Sequence, residues 1–199
     1  MFKSLKATSL SMNYKIREIF YSLQGEGCHT GIPAVFVRFS GCNLRCPWCD
    51  TDFSTYVERT AEEIVAQVKQ LQQQPCYVIL TGGEPSLQVD ETLITALHQA
   101  GYKVAIETNG TRDIPAGIDW VTCSPKEGST LTLKHADEVK VVYTGINPEH
   151  WKANIQTDNW LLQPLARGEQ TNVQKVIQYI LDHPTWRLSV QTHKLIGLR

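Results

Sequence analysis

Three cysteines in the spacing Cys42-x3-Cys46-x2-Cys49 constrain this chain more than any other feature. They follow directly on an apolar run at residues 34–40, which is typical of a buried strand, so we expect them in a loop at the end of that strand. A 4Fe-4S cluster normally takes four thiolates, and three closely spaced cysteines leave one iron without a protein ligand. The spacing therefore predicts a 4Fe-4S cluster on Cys42, Cys46 and Cys49 with one open iron.

Two other interpretations of the cysteines stay open at this point. A structural zinc site needs four closed ligands, and the nearest additional candidates are Cys28 and His29. Packing of the cysteines in a core is disfavoured, because the same loop contains Asn43, Arg45 and Asp50. The remaining cysteines stand in apolar strands or in a glycine-flanked loop, where a small hydrophobic role is typical.

Composition limits the size and the partners of the fold. A chain of 199 residues with 42% hydrophobic residues can bury one core, so we predict a single domain over 14–199 and a flexible extension over 1–13. The formal net charge of -1 favours neither nucleic acid nor an acidic membrane surface as a partner. No apolar run approaches the ~20 residues of a membrane span, and the start of the chain lacks a secretory signal, so we expect a cytoplasmic protein.

Periodicity predicts an α/β fold. Apolar runs indicate strands at residues 15–22, 34–40, 77–81, 102–108, 120–123, 138–143, 160–163 and 186–191. Helix starts separate them, with a capping box at Thr60 and Glu63, a cap at Asp90 and a further start at Thr171. The chain is shorter than the ~250 residues of a complete eight-unit barrel. We therefore predict an open, partial barrel of about six mainly parallel strands.

Polar segments follow several of these strands, where parallel sheets collect their functional groups. Thr81-Gly82-Gly83-Glu84-Pro85 ends one strand, and its glycines allow a close approach of backbone to a ligand. Coupled to the cysteine loop, this segment resembles the GGEP motif with which radical S-adenosylmethionine (SAM) enzymes bind the methionine amino group. Glu107 ends the next strand and could accept from ribose hydroxyls, although an ordinary turn explains it equally well. Two later segments, Ser124-Pro125-Lys126 and Gln163-Pro164-Leu165, could line the nucleoside or be simple turns.

Two further segments narrow the resemblance. Residues 20–27 read Phe-Tyr-Ser-Leu-Gln-Gly-Glu-Gly, and Gln191-Thr192-His193-Lys194 lies near the end of the chain. Together with the cysteine loop, they resemble the 7-carboxy-7-deazaguanine synthases over nearly the whole chain. This resemblance implies conversion of 6-carboxy-5,6,7,8-tetrahydropterin to 7-carboxy-7-deazaguanine with release of ammonia, with SAM regenerated and Mg²⁺ assisting.

The resemblance also implies roles for individual residues. The substrate would contact Leu23, Gln24, Gly25, Arg38 and Thr81, where the guanidinium of Arg38 suits a carboxylate, although an ion pair at a strand rim is its alternative. Thr51 matches the magnesium position, and its hydroxyl is a hard oxygen ligand. SAM would contact Trp48, Cys49, Asp50, Gly83, Glu84, Glu107, Ser124, Pro125, Lys126, Gln163, Pro164 and Leu165.

Expected partners complete the hypothesis. An external electron donor such as a flavodoxin or a ferredoxin would reduce the cluster, and the resemblance implies a homodimer. A glycyl-radical-enzyme activase would share the three cysteines and the GGEP segment, but the run from Leu23 to Gly27 argues against it. A non-catalytic iron–sulfur or zinc protein is the alternative from a different class.

Overall fold

The computed structural model describes residues 13–52, 54–74, 76–167 and 170–198. Of the predicted N-terminal extension, residues 1–12 lie outside the described residues. The strands are β1 (Tyr14–Leu23), β2 (Pro33–Phe39), β3 (Val57–Arg59), β4 (Tyr77–Gly82), β5 (Lys103–Thr108), β6 (Trp120–Cys123), β7 (Glu138–Tyr143), β8 (Trp160–Pro164), β9 (Ala166–Arg167), β10 (Gln170–Thr171) and β11 (Trp186–Leu188). The α-helices are α1 (Ala61–Leu71), α2 (Glu91–Gln99), α3 (Val173–Asp182) and α4 (Thr192–Leu195), and 3-10 turns lie at Pro85–Leu87 and Pro148–Ala153.

Nine strands form one sheet in the order β11-β8-β7-β6-β5-β4-β2-β1-β3. Seven of them run parallel, namely β2, β4, β5, β6, β7, β8 and β11. In contrast, β1 is antiparallel to both β2 and β3. Within the described residues the sheet ends at β11 and β3 and does not close on itself. The predicted open α/β partial barrel is confirmed, and the short β11 brings the parallel strands to seven.

The first two helices begin where their caps predict. Thr60 Oγ1 accepts from the Glu63 backbone at 3.3 Å, and the Glu63 carboxylate accepts from the Thr60 amide at 2.9 Å. Asp90 Oδ1 accepts from the Leu93 amide at 3.0 Å, and Gly101 ends this part of the chain with a φ of 90°. These bonds satisfy helix amides that have no partner within their own helix.

The predicted start of the third helix is wrong by one residue. Its N-cap is Asn172 instead of Thr171, and no side-chain capping bond is present there. The Asn172 side chain accepts from the Leu165 amide at 2.8 Å and donates to the Tyr143 carbonyl at 2.8 Å. The residue therefore ties the helix start to the ends of two strands, and this tertiary use replaces local capping.

The predicted strand at 186–191 is shorter than expected. β11 ends at Leu188, although the Ser189 amide still donates to the Leu162 carbonyl at 3.0 Å. The hydroxyl of buried Ser189 accepts from the Gly27 amide at 3.0 Å and ties this point to the loop after β1. The chain then crosses the carboxyl edge of the sheet, where the Thr192 amide donates to the Gly25 carbonyl at 2.8 Å. The last helix, α4, therefore lies over the loop after β1 instead of at the sheet edge.

The main core lies between the outer face of the sheet and the helices. Ile64 and Val68 of α1 and Leu93 and Leu97 of α2 are fully buried there, against strand residues such as Leu80. Burial of each such side chain contributes about 1.5–3 kcal/mol. In the described part of the chain, no helix is both long and apolar enough to cross a membrane.

Candidate active site

The inner face of the sheet changes from apolar to polar along its strands. A small apolar cluster occupies this face on β2, β4 and β5. Side chains alternate between the two faces of a strand, so Arg38, Thr81 and Glu107 lie on the inner face two residues further along. Thr122 on β6 and Glu138 on β7 continue this row in register, and Lys140 and Gln163 lie further toward the carboxyl ends of β7 and β8. All four are buried. The carboxyl edge of the sheet therefore concentrates charge and hydrogen-bonding groups.

One cavity of about 920 Å³ opens at this edge. Its lining includes nearly every residue that the sequence assigns to substrate, SAM or metal. Pro125 is buried outside the lining. The predicted residues in the lining are Leu23, Gln24, Gly25, Arg38, Cys42, Cys46, Trp48, Cys49, Asp50, Thr51, Thr81, Gly83, Glu84, Glu107, Ser124, Lys126, Gln163, Pro164 and Leu165.

The three cysteines lie in one loop at the mouth of the cavity, which we call the cluster loop (residues 41–51). The Leu44 amide donates to Cys42 Sγ at 3.4 Å, and the Cys49 amide donates to the Cys46 carbonyl at 3.1 Å. Burial raises the pKa of Cys42 and of Cys46. All three are free thiols that line the same cavity. The thiol donors and the backbone amide on sulfur fit an iron–sulfur cluster.

The additional ligands of the zinc alternative lie away from the three cysteines. Neither Cys28 nor His29 lines the cavity of the three cysteines. The Cys28 pKa is raised to about 11 by burial and by the neighbouring Glu138, and His29 packs against Trp120 with ring centroids 4.2 Å apart. Among the residues with described positions, no three His, Cys, Asp or Glu side chains converge as a single ion requires.

Asn43 ties the cluster loop to the end of β5. Its Nδ2 donates to Thr111 Oγ1 at 2.8 Å, and its Oδ1 accepts from Asn109 Nδ2 at 3.0 Å. Asn109 in turn accepts from the Thr111 amide at 3.0 Å. The loop therefore has a polar brace on the side away from Cys49.

The segment 82–85 and the turn 108–110 form a second element, which we call the platform. The Gly83 amide donates to the Phe39 carbonyl at 3.0 Å, and the Glu84 amide donates to the Gly41 carbonyl at 2.8 Å. A Cβ on Gly83 would lie 2.0 Å from the Gly41 oxygen, and Gly82 has a φ of 122°. Both glycines are therefore required for the backbone to pack this closely against the base of the cluster loop.

Glu84 holds the platform together from inside. Its side chain is only 1% exposed, and its carboxylate accepts from Thr108 Oγ1 and from the Asn109 amide, each at 2.7 Å. It also accepts from the Ser86 amide at 3.0 Å. These three donors satisfy a buried carboxylate that burial alone would destabilise. Glu84 therefore joins the end of β4 to the end of β5 at the cavity lining.

Half-buried Glu107 and buried Gln24 form a second pair. Gln24 Nε2 donates to one oxygen of Glu107 at 2.8 Å, and Thr81 Oγ1 donates to the other at 3.2 Å. The Gln24 side-chain oxygen accepts from the Glu26 amide at 3.1 Å. These bonds fix the loop after β1 against β4 and β5.

Arg38 forms an ion pair within the cavity. Its Nε donates to Glu18 Oε1 at 2.8 Å, and both side chains are 24% exposed. This is the rim ion pair that the sequence left as the alternative for Arg38. A guanidinium carries five donors, so a bond through Nε is compatible with a carboxylate at its terminal nitrogens.

Asp50 joins the cluster loop to the C-terminal segment. Lys194 Nζ lies 2.6 Å from Asp50 Oδ2, and Gln191 Nε2 donates to the same oxygen at 3.2 Å. Burial acts to raise the pKa of Asp50, but these two donors and the ammonium charge lower it. The carboxylate expected at SAM is therefore also a tie between the loop and α4.

Lys126 lies at the other side of the loop. Its Nζ donates to Ser124 Oγ at 2.7 Å and sits 5.3 Å from the centre of the Trp48 ring. Burial and the charge of Lys140 lower the pKa of Lys126. Two residues predicted at SAM, Ser124 and Lys126, are therefore brought against a third from the cluster loop.

The sequence interpretation missed a buried charge cluster in the same cavity. Lys140 pairs with Glu26, and Gln191 Nε2 donates to the second oxygen of Glu26 at 2.9 Å. Glu138, two residues before Lys140, accepts from the Cys28 amide at 2.7 Å. The signal was available, because two charged residues alternate with valines in the otherwise apolar β7.

Known proteins resemble this chain in sequence and in structure. The model of the radical SAM superfamily matches residues 36–157. A 7-carboxy-7-deazaguanine synthase of Bacteroides thetaiotaomicron is 52% identical over 188 residues, which cover 94% of this chain and 100% of the relative. One from Bradyrhizobium diazoefficiens is 44% identical over 213 residues, with the same shares covered. The crystal structure of QueE from Escherichia coli superposes with a TM-score of 0.74 at 28% identity, covering 92% of this chain and 95% of that one.

Proposed function

Because the chain belongs to the radical SAM superfamily, and within it to the 7-carboxy-7-deazaguanine synthases, we propose that it converts 6-carboxy-5,6,7,8-tetrahydropterin to 7-carboxy-7-deazaguanine. Ammonia is the second product. Substrate and products balance without a net oxidant or reductant, so the reaction is a lyase reaction, and membership of the radical SAM superfamily supports a radical mechanism. The observation that carries the proposal is the single cavity that three thiols share with Arg38 and Thr81.

The chain's own residues divide the cavity into two halves. Cys42, Cys46 and Cys49 would hold the cluster, and the platform glycine Gly83 would present its backbone to SAM. When bound, the cluster and SAM supply the one-electron chemistry that removes hydrogen from carbon 6 of the pterin. Lys126 lies beside Trp48 at this end and contributes positive charge.

The second half would hold the pterin. Arg38 can bind the substrate carboxylate, since a guanidinium forms two parallel hydrogen bonds with it. Thr81 lies beside Arg38 in the strand register and would add a hydroxyl. The loop residues Leu23 to Gly25 border this half, and Thr51 would offer its hydroxyl to Mg²⁺, which prefers hard oxygen ligands.

Turnover by the reconstituted enzyme tests this function. We expect the anaerobically reduced protein, supplied with SAM, Mg²⁺ and the carboxypterin, to form 7-carboxy-7-deazaguanine, detected by chromatography and mass. SAM should not be consumed in net terms. Absence of the product in a sample with a full cluster would overturn the proposal and favour an activase or an inert iron–sulfur protein.

Further expectations concern the surroundings of the enzyme. We propose a single domain over 14–199, a cytoplasmic location and a flavodoxin or ferredoxin as the electron donor, which would approach the exposed Arg45 of the cluster loop. We also propose a homodimer, supported by Leu195 and Ile196, which are 75% and 59% exposed. Sedimentation of the purified protein tests the dimer, and a sedimentation coefficient of a monomer at micromolar concentration would contradict it.

A further inference from the structure

Lys140 is a buried charge in the middle of a core strand. Its side chain is 5% exposed, and its neighbours Val139 and Val141 face the main core. A lone ammonium in such a position is strongly disfavoured, so it needs a partner of opposite charge. That partner is Glu26, whose side chain is 15% exposed and lines the cavity.

The surrounding groups fix the ionisation of both partners. Burial opposes the charge of Lys140, but Glu26, Glu107 and Glu138 raise its pKa. Burial also acts to raise the pKa of Glu26, yet the ammonium of Lys140 and smaller contributions from Gln191 and His193 lower it. Lys140 is therefore the main reason that the largely buried carboxylate of Glu26 faces the cavity in its ionised form.

The Glu26 carboxylate has acceptor capacity beyond its protein partners. Lys140 donates to one oxygen and Gln191 to the other, and each oxygen of a carboxylate accepts more than one hydrogen bond. The pyrimidinone edge of a pterin presents a ring N–H beside an exocyclic amino group. Two parallel donors of this kind match a carboxylate in the way a guanidinium does.

We propose that Lys140 is a positioning residue that holds Glu26 ionised in the cavity, where Glu26 receives the ring N–H and the 2-amino group of the substrate. The inference rests on the proposed function, because it takes a pterin as the ligand. Lys140 reaches the substrate only through Glu26. It therefore sets the affinity for a 2-aminopyrimidinone and the discrimination against rings that lack the amino group.

Binding without turnover tests the role of Lys140. The reconstituted enzyme with SAM but no reductant is titrated with the fluorescent oxidised analogue 6-carboxypterin, and with 6-carboxylumazine, in which oxygen replaces the 2-amino group. We expect Lys140→Met to weaken binding of the pterin at least tenfold and to bring the two affinities within about threefold of each other. Glu26→Gln should show the same loss. The double variant should be no worse than Glu26→Gln alone, since both act on one interaction.

A matched variant controls for loss of a paired lysine. Lys152 pairs with Glu149 at 2.9 Å outside the cavity, so Lys152→Met should leave both affinities unchanged. Cluster content and the SAM-dependent spectrum should also be the same in all variants. If Lys140→Met does not fold, Lys140→Gln keeps a donor without charge, and its discrimination should fall as well.

Specific outcomes overturn the inference. Unchanged discrimination in Lys140→Met or Lys140→Gln would contradict it, as would additive losses in the double variant. Failure of the proposed function gives a different result, because the wild-type enzyme would then neither bind 6-carboxypterin nor make the deazaguanine. If the wild-type enzyme binds 6-carboxypterin and makes the deazaguanine, and the Lys140 variants behave like it, only the positioning role of Lys140 is excluded.

Discussion

The cluster loop and the platform lie side by side at one edge of the sheet, yet they are built in opposite ways. The platform is organised around Glu84, which is 1% exposed and accepts three hydrogen bonds from its own neighbours. In the cluster loop, Cys42 and Cys46 are half-buried and Cys49 is exposed. The bonds of this loop lie mainly at its margins, through Asn43 on one side and Asp50 on the other.

The difference shows where each kind of order comes from. Hydrogen bonds to a buried carboxylate contribute about 1.5–3 kcal/mol each, so the platform is rigid before any ligand arrives. The cluster loop offers thiols at the cavity surface, where bound metal completes the structure. We therefore expect substitutions in the platform to affect the stability of the fold, and substitutions in the loop to affect cluster binding at nearly constant stability.

Cys46→Ala should give the largest difference between an effect on cluster binding and an effect on stability. We expect loss of the cluster and a decrease in turnover of at least about a thousandfold, because two thiolates cannot hold the cubane. The free energy of unfolding of the metal-free protein should change by less than about 1 kcal/mol, since the side chain is half-buried. Iron analysis and urea unfolding measure the two quantities.

Cys76→Ala is the matched control, because Cys76 packs at the edge of the core and away from the cavity. It should retain the cluster. A metal-free Cys46→Ala protein that is strongly destabilised would show that the loop has a structural role of its own.

Glu84→Gln should have the opposite effect to Cys46→Ala, because it should lower the stability of the fold. The amide keeps one acceptor oxygen but turns an NH2 group toward the Ser86 amide or the Asn109 amide, which can only donate. We expect a loss of about 2–4 kcal/mol in the free energy of unfolding, measured in urea. Glu91→Gln, at an exposed position in the first turn of α2, should cost less than about 0.5 kcal/mol. Equal stability of the two variants would mean that the hydrogen bonds of Glu84 do not make the platform more rigid than the cluster loop.

Sequence alone predicted the fold class from the periods of its strands and helices, and the spacing of Cys42, Cys46 and Cys49 indicated the cluster. Most other residues of the cavity lining, such as Arg38 and Thr81, were implied by the resemblance to the 7-carboxy-7-deazaguanine synthases. Capping patterns predicted the starts of α1 and α2.

The remaining features depend on residues far apart in the chain. Glu26 and Lys140 are separated by 114 positions, so no local pattern joins them. Glu84 stays a predicted cofactor contact, but its structural role was not predicted, because its donors Thr108 and Asn109 come from the end of the next strand. Asn172 occupies the N-cap of α3, but its side chain donates to the Tyr143 carbonyl instead of capping the helix, which no local pattern indicates.

Asn43→Ala tests the brace between the two regions. The substitution removes the bonds to Thr111 and Asn109, each with a net contribution of about 0.5–1.5 kcal/mol. We expect the cluster to be lost to a chelator about fivefold faster, with turnover reduced to a similar extent. Asn13→Ala, which removes a bond to Glu58 outside the cavity, is the control and should match the wild type. Equal loss rates in the two variants would show that the loop is ordered by its ligands alone.

Thr51→Ala should give the smallest effect and sharpen the comparison within the loop itself. The substitution leaves the three cluster thiols and the backbone of the loop in place, so cluster content should stay at the wild-type value. The hydroxyl is lost, and with it the proposed oxygen ligand of Mg²⁺, so stimulation of turnover by Mg²⁺ should fall by about two- to tenfold. Thr55→Ala removes a nearby hydroxyl that accepts from Arg17 and lies outside the cavity lining, so its magnesium response should be unchanged. A Thr51→Ala enzyme with the full magnesium response would show that the ion is held by other oxygens, and the loop would then serve the cluster alone.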